Sequence, residues 1–157
     1  MARVLFVDVV EEERYWYPDD GGEVWVAGYH LVDAEGRFLA REGAAARDLH
    51  VLSVAGAAQH HDHVLQGPGA APGAPLELRR DRDNAHDPHA IAVLVAGGDQ
   101  LGWVPREAAA RLAERFDAGE TFRAVVLRER RASPRDPRTG VTTLVAATAS
   151  LDLRRRG

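Results

Sequence analysis

The stretch from Leu76 to Glu107 constrains the fold more than any other part of the chain. It begins Leu76-Glu-Leu-Arg-Arg80, passes through Asp81-Arg-Asp-Asn-Ala-His-Asp-Pro-His89, and returns as Ala90-Ile-Ala-Val-Leu-Val95. Two short apolar runs flank a dense polar segment, which reads as two strands joined by a charged turn. Ala96-Gly-Gly-Asp99 supplies the flexible pair a tight hairpin needs, so Gln100-Leu-Gly-Trp-Val104 is the return strand. Pro105 then suits the start of a helix, because its missing N–H would be unpaired there in any case. Three antiparallel strands and a helix start follow one another within about thirty residues.

The helix itself is legible from its spacing. Ala108, Ala109, Leu112, Ala113 and Phe116 fall on one face, and Asp117-Ala-Gly119 ends it with glycine, giving a helix over about 105–117. Elsewhere the pattern is strand-like. Arg3–Val10, Glu23–Val32 and Arg37–Ala40 predict an N-terminal meander of about three strands, with a turn at Pro18-Asp-Asp-Gly-Gly22. Gly43–Asp48 fits a short helix or a linker, and Leu49–Gly56 a strand ending in glycine. Residues 57–75 read as the softest part, and the Gly, Pro and Ala content of Gln66–Pro75 predicts a flexible loop with little to pack. Thr121–Arg131 and Val141–Leu151 read as two long strands, and Arg154–Gly157 as a frayed tail. Seven or more strands with one clear helix predict a mainly β domain, either a small barrel or a strongly twisted sheet. The organisation expected is a meander extension over 1–48, a β domain over 49–153 and a tail over 154–157.

Composition bounds the chemistry. The chain has 157 residues, no Cys, 45% apolar and 28% charged residues, enough for one core and none for thiol chemistry or disulfides. Its net charge of −4 argues against strong non-specific binding to nucleic acid. The charge is uneven, however: residues 1–75 sum to −7 and residues 76–157 to +3, with Arg the only cation in both. The N-terminal apolar run is too short for a signal-peptide core, so a soluble cytoplasmic protein is expected.

The charged turn is the first candidate site, because so many polar groups in one turn oppose one another and the cost calls for a use. Asn84, Asp87 and Ala90-Ile91 occur at the spacing Asn-x-x-Asp-x-x-Ala-Ile, ahead of Gly-Trp-Val-Pro-Arg-Glu at the helix start. In this order the motif resembles the HIRAN domain, with similarity over roughly residues 49–131. The resemblance implies an OB-like barrel that binds single-stranded DNA, or DNA at its 3′-hydroxyl end, without catalysis or a cofactor. It further implies that Asp87 takes the terminal hydroxyl, that His86 stacks a base, and that Arg106 holds a phosphate at the helix N-terminus, beside Trp103. A carboxylate accepts a hydrogen bond from a hydroxyl but repels a phosphate, so such a group can select a free end.

One segment departs from the resemblance. End-binding members carry an Arg-aromatic-aromatic run after the glycine that ends the first strand. Here those positions are Ala57, Ala58, Gln59 and His60, which leaves His60 as the only ring. An alternative reading follows: a barrel that has lost DNA binding and engages a protein through acidic residues 1–48. The aromatic group Tyr15, Trp16, Tyr17, Trp25 and Tyr29 is expected to pack. Gln59–His63 and His86–His89 bring five His into two loops, but at no zinc-motif spacing, so metal-dependent hydrolysis is the weakest reading and no metal ligand is assigned.

Overall fold

The computed structural model describes residues 4–19, 22–147 and 150–156. Among these residues nine strands form one sheet. They are β1 (Val4–Asp19), β2 (Gly22–Leu31), β3 (Leu49–Ser53), β4 (Pro75–Arg80), β5 (Ile91–Val95), β6 (Gln100–Trp103), β7 (Arg123–Arg131), β8 (Arg138–Ala146) and β9 (Ser150–Arg155). Among those residues four α-helices, α1 (Arg41–Ala45), α2 (Ala57–His60), α3 (Asp62–Leu65) and α4 (Arg106–Asp117), and one 3-10 turn (Pro68–Ala70) connect them. The mainly β architecture with one substantial helix is the one the sequence predicts. None of the described helices is long and apolar enough to cross a membrane.

The order of pairing is β6-β5-β4-β7-β2-β1-β9, and β8 pairs with β7 and β3. Strand β7 is the junction: its first half lies against β4, its second half against β2, and its other edge against β8. Beyond β3, Ala55 and Trp103 exchange backbone hydrogen bonds of 2.8 and 2.9 Å, which ties the end of β3 to β6. Strands β3, β8, β7, β4, β5 and β6 thus succeed one another around a first core built on Ile91, Val93, Leu101, Leu112 and Val126. A second core lies where β1, β2 and α1 pack on β3, β7 and β8, around Val9, Leu31, Ala44, Leu127 and Leu144. The period-2 alternation of β7 serves both: Ala124 and Val126 enter the first core, Val125 and Leu127 the second.

Helix α4 buries Ala108, Ala109, Leu112 and Ala113 as its spacing predicts. Pro105 is its N-cap rather than its first helical residue, and its carbonyl accepts the first helical bond from Ala109 at 2.8 Å. Trp25 and Tyr29 are buried, in keeping with packing roles, while the side chains of Tyr15, Trp16 and Tyr17 and part of the 18–22 turn lie outside the described residues.

Several segments differ from expectation, among them the expected strand Val141–Leu151, which is divided between β8 and β9. Arg37–Ala40 forms no strand, only the single pair Val32–Phe38, because Asp33 Oδ1 accepts the backbone N–H groups of Glu35 and Arg37 and tightens the turn. Residues 57–75 are not a loose loop. Leu65 and Ala70 are fully buried, and a Cβ on Gly69 would meet Val95 Cβ at 2.9 Å, so this glycine permits close packing on β5 rather than motion. The segment is also held from afar: Arg138 Nη1 donates to the carbonyls of Leu65 and Gly67. Finally, Arg154 and Arg155 belong to β9, which runs parallel to β1, and Arg154 and Arg156 both pair with Asp8. Composition alone reads such an Arg run as a tail because its partner lies at the other end of the chain.

Candidate nucleic-acid interface

The turn between β4 and β5 is built by its own side chains. Asn84 Oδ1 accepts the backbone N–H groups of His86 (2.9 Å) and Asp87 (3.0 Å), while Asn84 Nδ2 donates to Asp81 Oδ2. Asp87 Oδ1 accepts the N–H of His89 at 2.9 Å. Both are Asx-type closures, in which a short polar side chain substitutes for a backbone acceptor. Asn84 therefore shapes the turn, and Asp87 has one oxygen so engaged. The other, Oδ2, stands 3.7 Å from Arg106 Nε.

The turn is then fastened to both ends of α4. At the N-terminal end, Arg106 Nη2 donates to the carbonyl of His86 at 2.9 Å, although the Arg106 side chain is 75% exposed. At the C-terminal end, Asp117 accepts from Arg80 Nη2 (3.1 Å) and from Arg82 Nη2 (2.8 Å). Those guanidinium hydrogen bonds, from Arg80 first and then Arg82, hold the Asp117 carboxyl down to about 2. Arg80 also donates to the carbonyls of Pro88 and Ala90, so one side chain spans the turn and the helix end. This anchor has no signature in sequence, because Asp117 is 37 residues from Arg80.

Between turn, helix start and β6 lies a cleft of about 260 Å³ lined by Asn84, His86, Asp87, Trp103 and Arg106, with Ala55 beside Trp103. Five of the six residues singled out in sequence thus share one concavity. The sixth, His60, is exposed on α2 and stands beside the cleft rather than in its wall. A Cβ on Gly56 would lie 3.5 Å from both His60 Cδ2 and Trp103 Cδ1, so the two rings flank this glycine. Gly56 has φ +75°, the left-handed conformation that turns the chain from β3 into α2. Ala57 is buried there, which leaves no room for a large side chain at that position without rearrangement. Ala55 was missed in sequence, since a small residue next to Gly56 carries no chemical signal. Among the described residues no three His, Asp or Glu are grouped to hold a metal ion.

The arrangement is a small β domain whose charged turn presents a carboxylate, a guanidinium and rings to one cleft. The chain belongs to the HIRAN domain family, whose model matches residues 53–145, more than half of the sequence. HIRAN domains are known for binding DNA, and membership supports a nucleic-acid-binding module. Two solved structures are similar. A protein from Lactobacillus plantarum shares 19% identity and a TM-score of 0.45, over 61% of this chain and 91% of that one. The HIRAN domain of human HLTF shares 22% identity and a TM-score of 0.43, over 62% of this chain and 75% of that one. No curated protein matches the chain significantly.

Proposed function

We propose that the chain binds single-stranded DNA at a free 3′-hydroxyl end, through the cleft at the charged turn. The observation that carries this reading is the convergence of His86, Asp87, Trp103 and Arg106 on one concave surface. Each has a role its chemistry suits. Asp87 Oδ2 accepts the terminal hydroxyl, while a terminal phosphate in its place meets a like charge. Arg106, exposed at the first helical position, combines its guanidinium with the helix N-terminus on a backbone phosphate. Trp103, half-buried on β6, offers a ring face to a base, and His60 stands across Gly56 from it. Asn84 is a positioning residue, since its carboxamide is spent on the turn.

The test compares a short oligonucleotide ending in a 3′-hydroxyl with its 3′-phosphate twin at low salt. The reading requires tighter binding of the hydroxyl form, with the preference lost in Asp87→Asn. Arg106→Ala should lower the salt slope of binding by about one. Equal affinities for the two ends remove end recognition, and no binding of either removes the DNA reading.

A further inference from the structure

A second, larger cleft of about 500 Å³ lies between the N-terminal strands and the β3–β8–β7 surface. One wall comes from residues before the family match, including His30, Phe38 and Arg41, and the other from Ser53, Arg128 and Arg130. Phe38 is 63% exposed, the most exposed large apolar side chain described, and its ring stands edge-on to His30 at 5.5 Å between centroids. A ring held in that way against a neighbour, yet open to water, is poorly used as core.

The basic wall has a structural cause. A register shift between Val126 and Arg128 interrupts the β7–β8 ladder, and a bulge of this kind re-aims side chains. Arg128 and Arg130 then line the cleft, while Glu129 between them turns away to Arg131 and Arg138. Arg130 is set in place by the hydroxyls of Ser53 and Thr142, each 3.2 Å from Nη1. The described lining contains three arginines and no carboxylate.

The two clefts adjoin along one extended run. Ser53 lines the second and Ala55 the first, two residues apart and therefore on the same side of the chain, a separation of about 6.6 Å. An open groove that combines guanidinium groups with ring faces is what a single strand needs, because the charges track its phosphates and the rings stack its bases.

We propose that the second cleft is the continuation of the DNA path, and that the N-terminal segment contributes a base-stacking platform, Phe38 with His30, to a strand whose end sits at the charged turn. This rests on the DNA reading above. It also supplies a ring surface to a chain that has Ala57, Ala58, Gln59 and His60 where end-binding relatives carry an Arg-aromatic-aromatic run. The acidic N-terminal segment is then a part of the binding surface and not a cover over it.

The experiment uses the full chain and two fluorescent 3′-hydroxyl oligothymidylates, one of about three nucleotides and one of about ten. Phe38→Ala, at an exposed position, should weaken the long oligonucleotide about tenfold, the loss of one stacked base, and leave the short one within about twofold. Phe38→Trp should restore the long one. Arg130→Gln should lower the salt slope by about one for the long oligonucleotide only. If Phe38→Ala binds the long strand as wild type does, or weakens both lengths equally, the second cleft is not on the path while the DNA reading stands. If wild type binds neither length, the DNA reading fails and takes this inference with it.

Discussion

The two clefts differ in how they are assembled. The first is made almost entirely from residues 84–106, a nearly contiguous piece of chain that folds back on itself through a local turn, a hairpin and a helix start. The second draws on residues 24–53 and 128–142, brought together by the pairing of β2 with β7, of β7 with β8 and of β3 with β8. Local closure makes the first cleft depend on turn geometry and close backbone approach. Distant assembly makes the second depend on the strength of the sheet behind it.

The largest effect should follow from attacking that support. Glu129 and Arg138 form an ion pair on β7 and β8, with side chains 8% and 10% exposed, and Glu129 also pairs with Arg131. Burial pushes the Glu129 carboxyl up, but the hydrogen bonds from Arg131 and Arg138 outweigh it and hold the group below its ordinary value. Arg138→Ala leaves that carboxylate under-paired and releases the carbonyls of Leu65 and Gly67. A loss of about 3–5 kcal/mol is expected in chemical denaturation. If the change is near zero, the second cleft does not lean on this pair.

A smaller effect should strike the first cleft. A Cβ on Gly102 would lie 2.5 Å from the Ala55 carbonyl oxygen and 2.6 Å from Val54 Cγ1. Gly102→Ala should therefore prise β6 from the end of β3, at a cost of about 1–3 kcal/mol, and abolish binding of the short oligonucleotide through displacement of Trp103. Wild-type stability with intact binding would mean that the Ala55–Trp103 pairing is not what positions the ring.

The smallest effect belongs to the exposed anchor of the turn. Asp117→Asn keeps the shape and removes the charge that Arg80 and Arg82 share. Short-oligonucleotide affinity should fall by less than about fivefold. The pH dependence is more telling. A carboxyl depressed from 3.8 to about 2 contributes fully above about pH 4, and the contribution is lost as pH falls from there through about 2. The side-chain Nε–H signals of Arg80 and Arg82, which bond Asp117, should shift in that window in wild type and lose that step in Asp117→Asn.

The same contrast governs what was legible in sequence. The strand–turn–strand–hairpin–helix order of 76–117 was readable because each step is a local signal: Asn84 and Asp87 at turn spacing, Gly97-Gly98 in the hairpin, Pro105 before an apolar helical face. Five residues of the first cleft lie within that run, and the family resemblance it carries is what singled them out. The second cleft was invisible, since Phe38 lies in a segment that reads as an ordinary strand and Arg130 in one that reads as an ordinary charged edge. A β-bulge, a 77-residue link from Arg130 to Ser53 and a glycine that packs, Gly69, leave no periodic trace. The Arg154–Arg156 run was misread for the same reason, with Asp8 as its partner 146 residues away.

The proposed DNA site is the charged turn and helix start. Its most direct test is an NMR titration of the isotope-labelled full chain with a short 3′-hydroxyl oligothymidylate. The largest shifts should fall on His86, Asp87, the Trp103 indole and the Arg106 guanidinium, and they should saturate together. Saturable shifts elsewhere on the molecule, with these four groups unmoved, would contradict it.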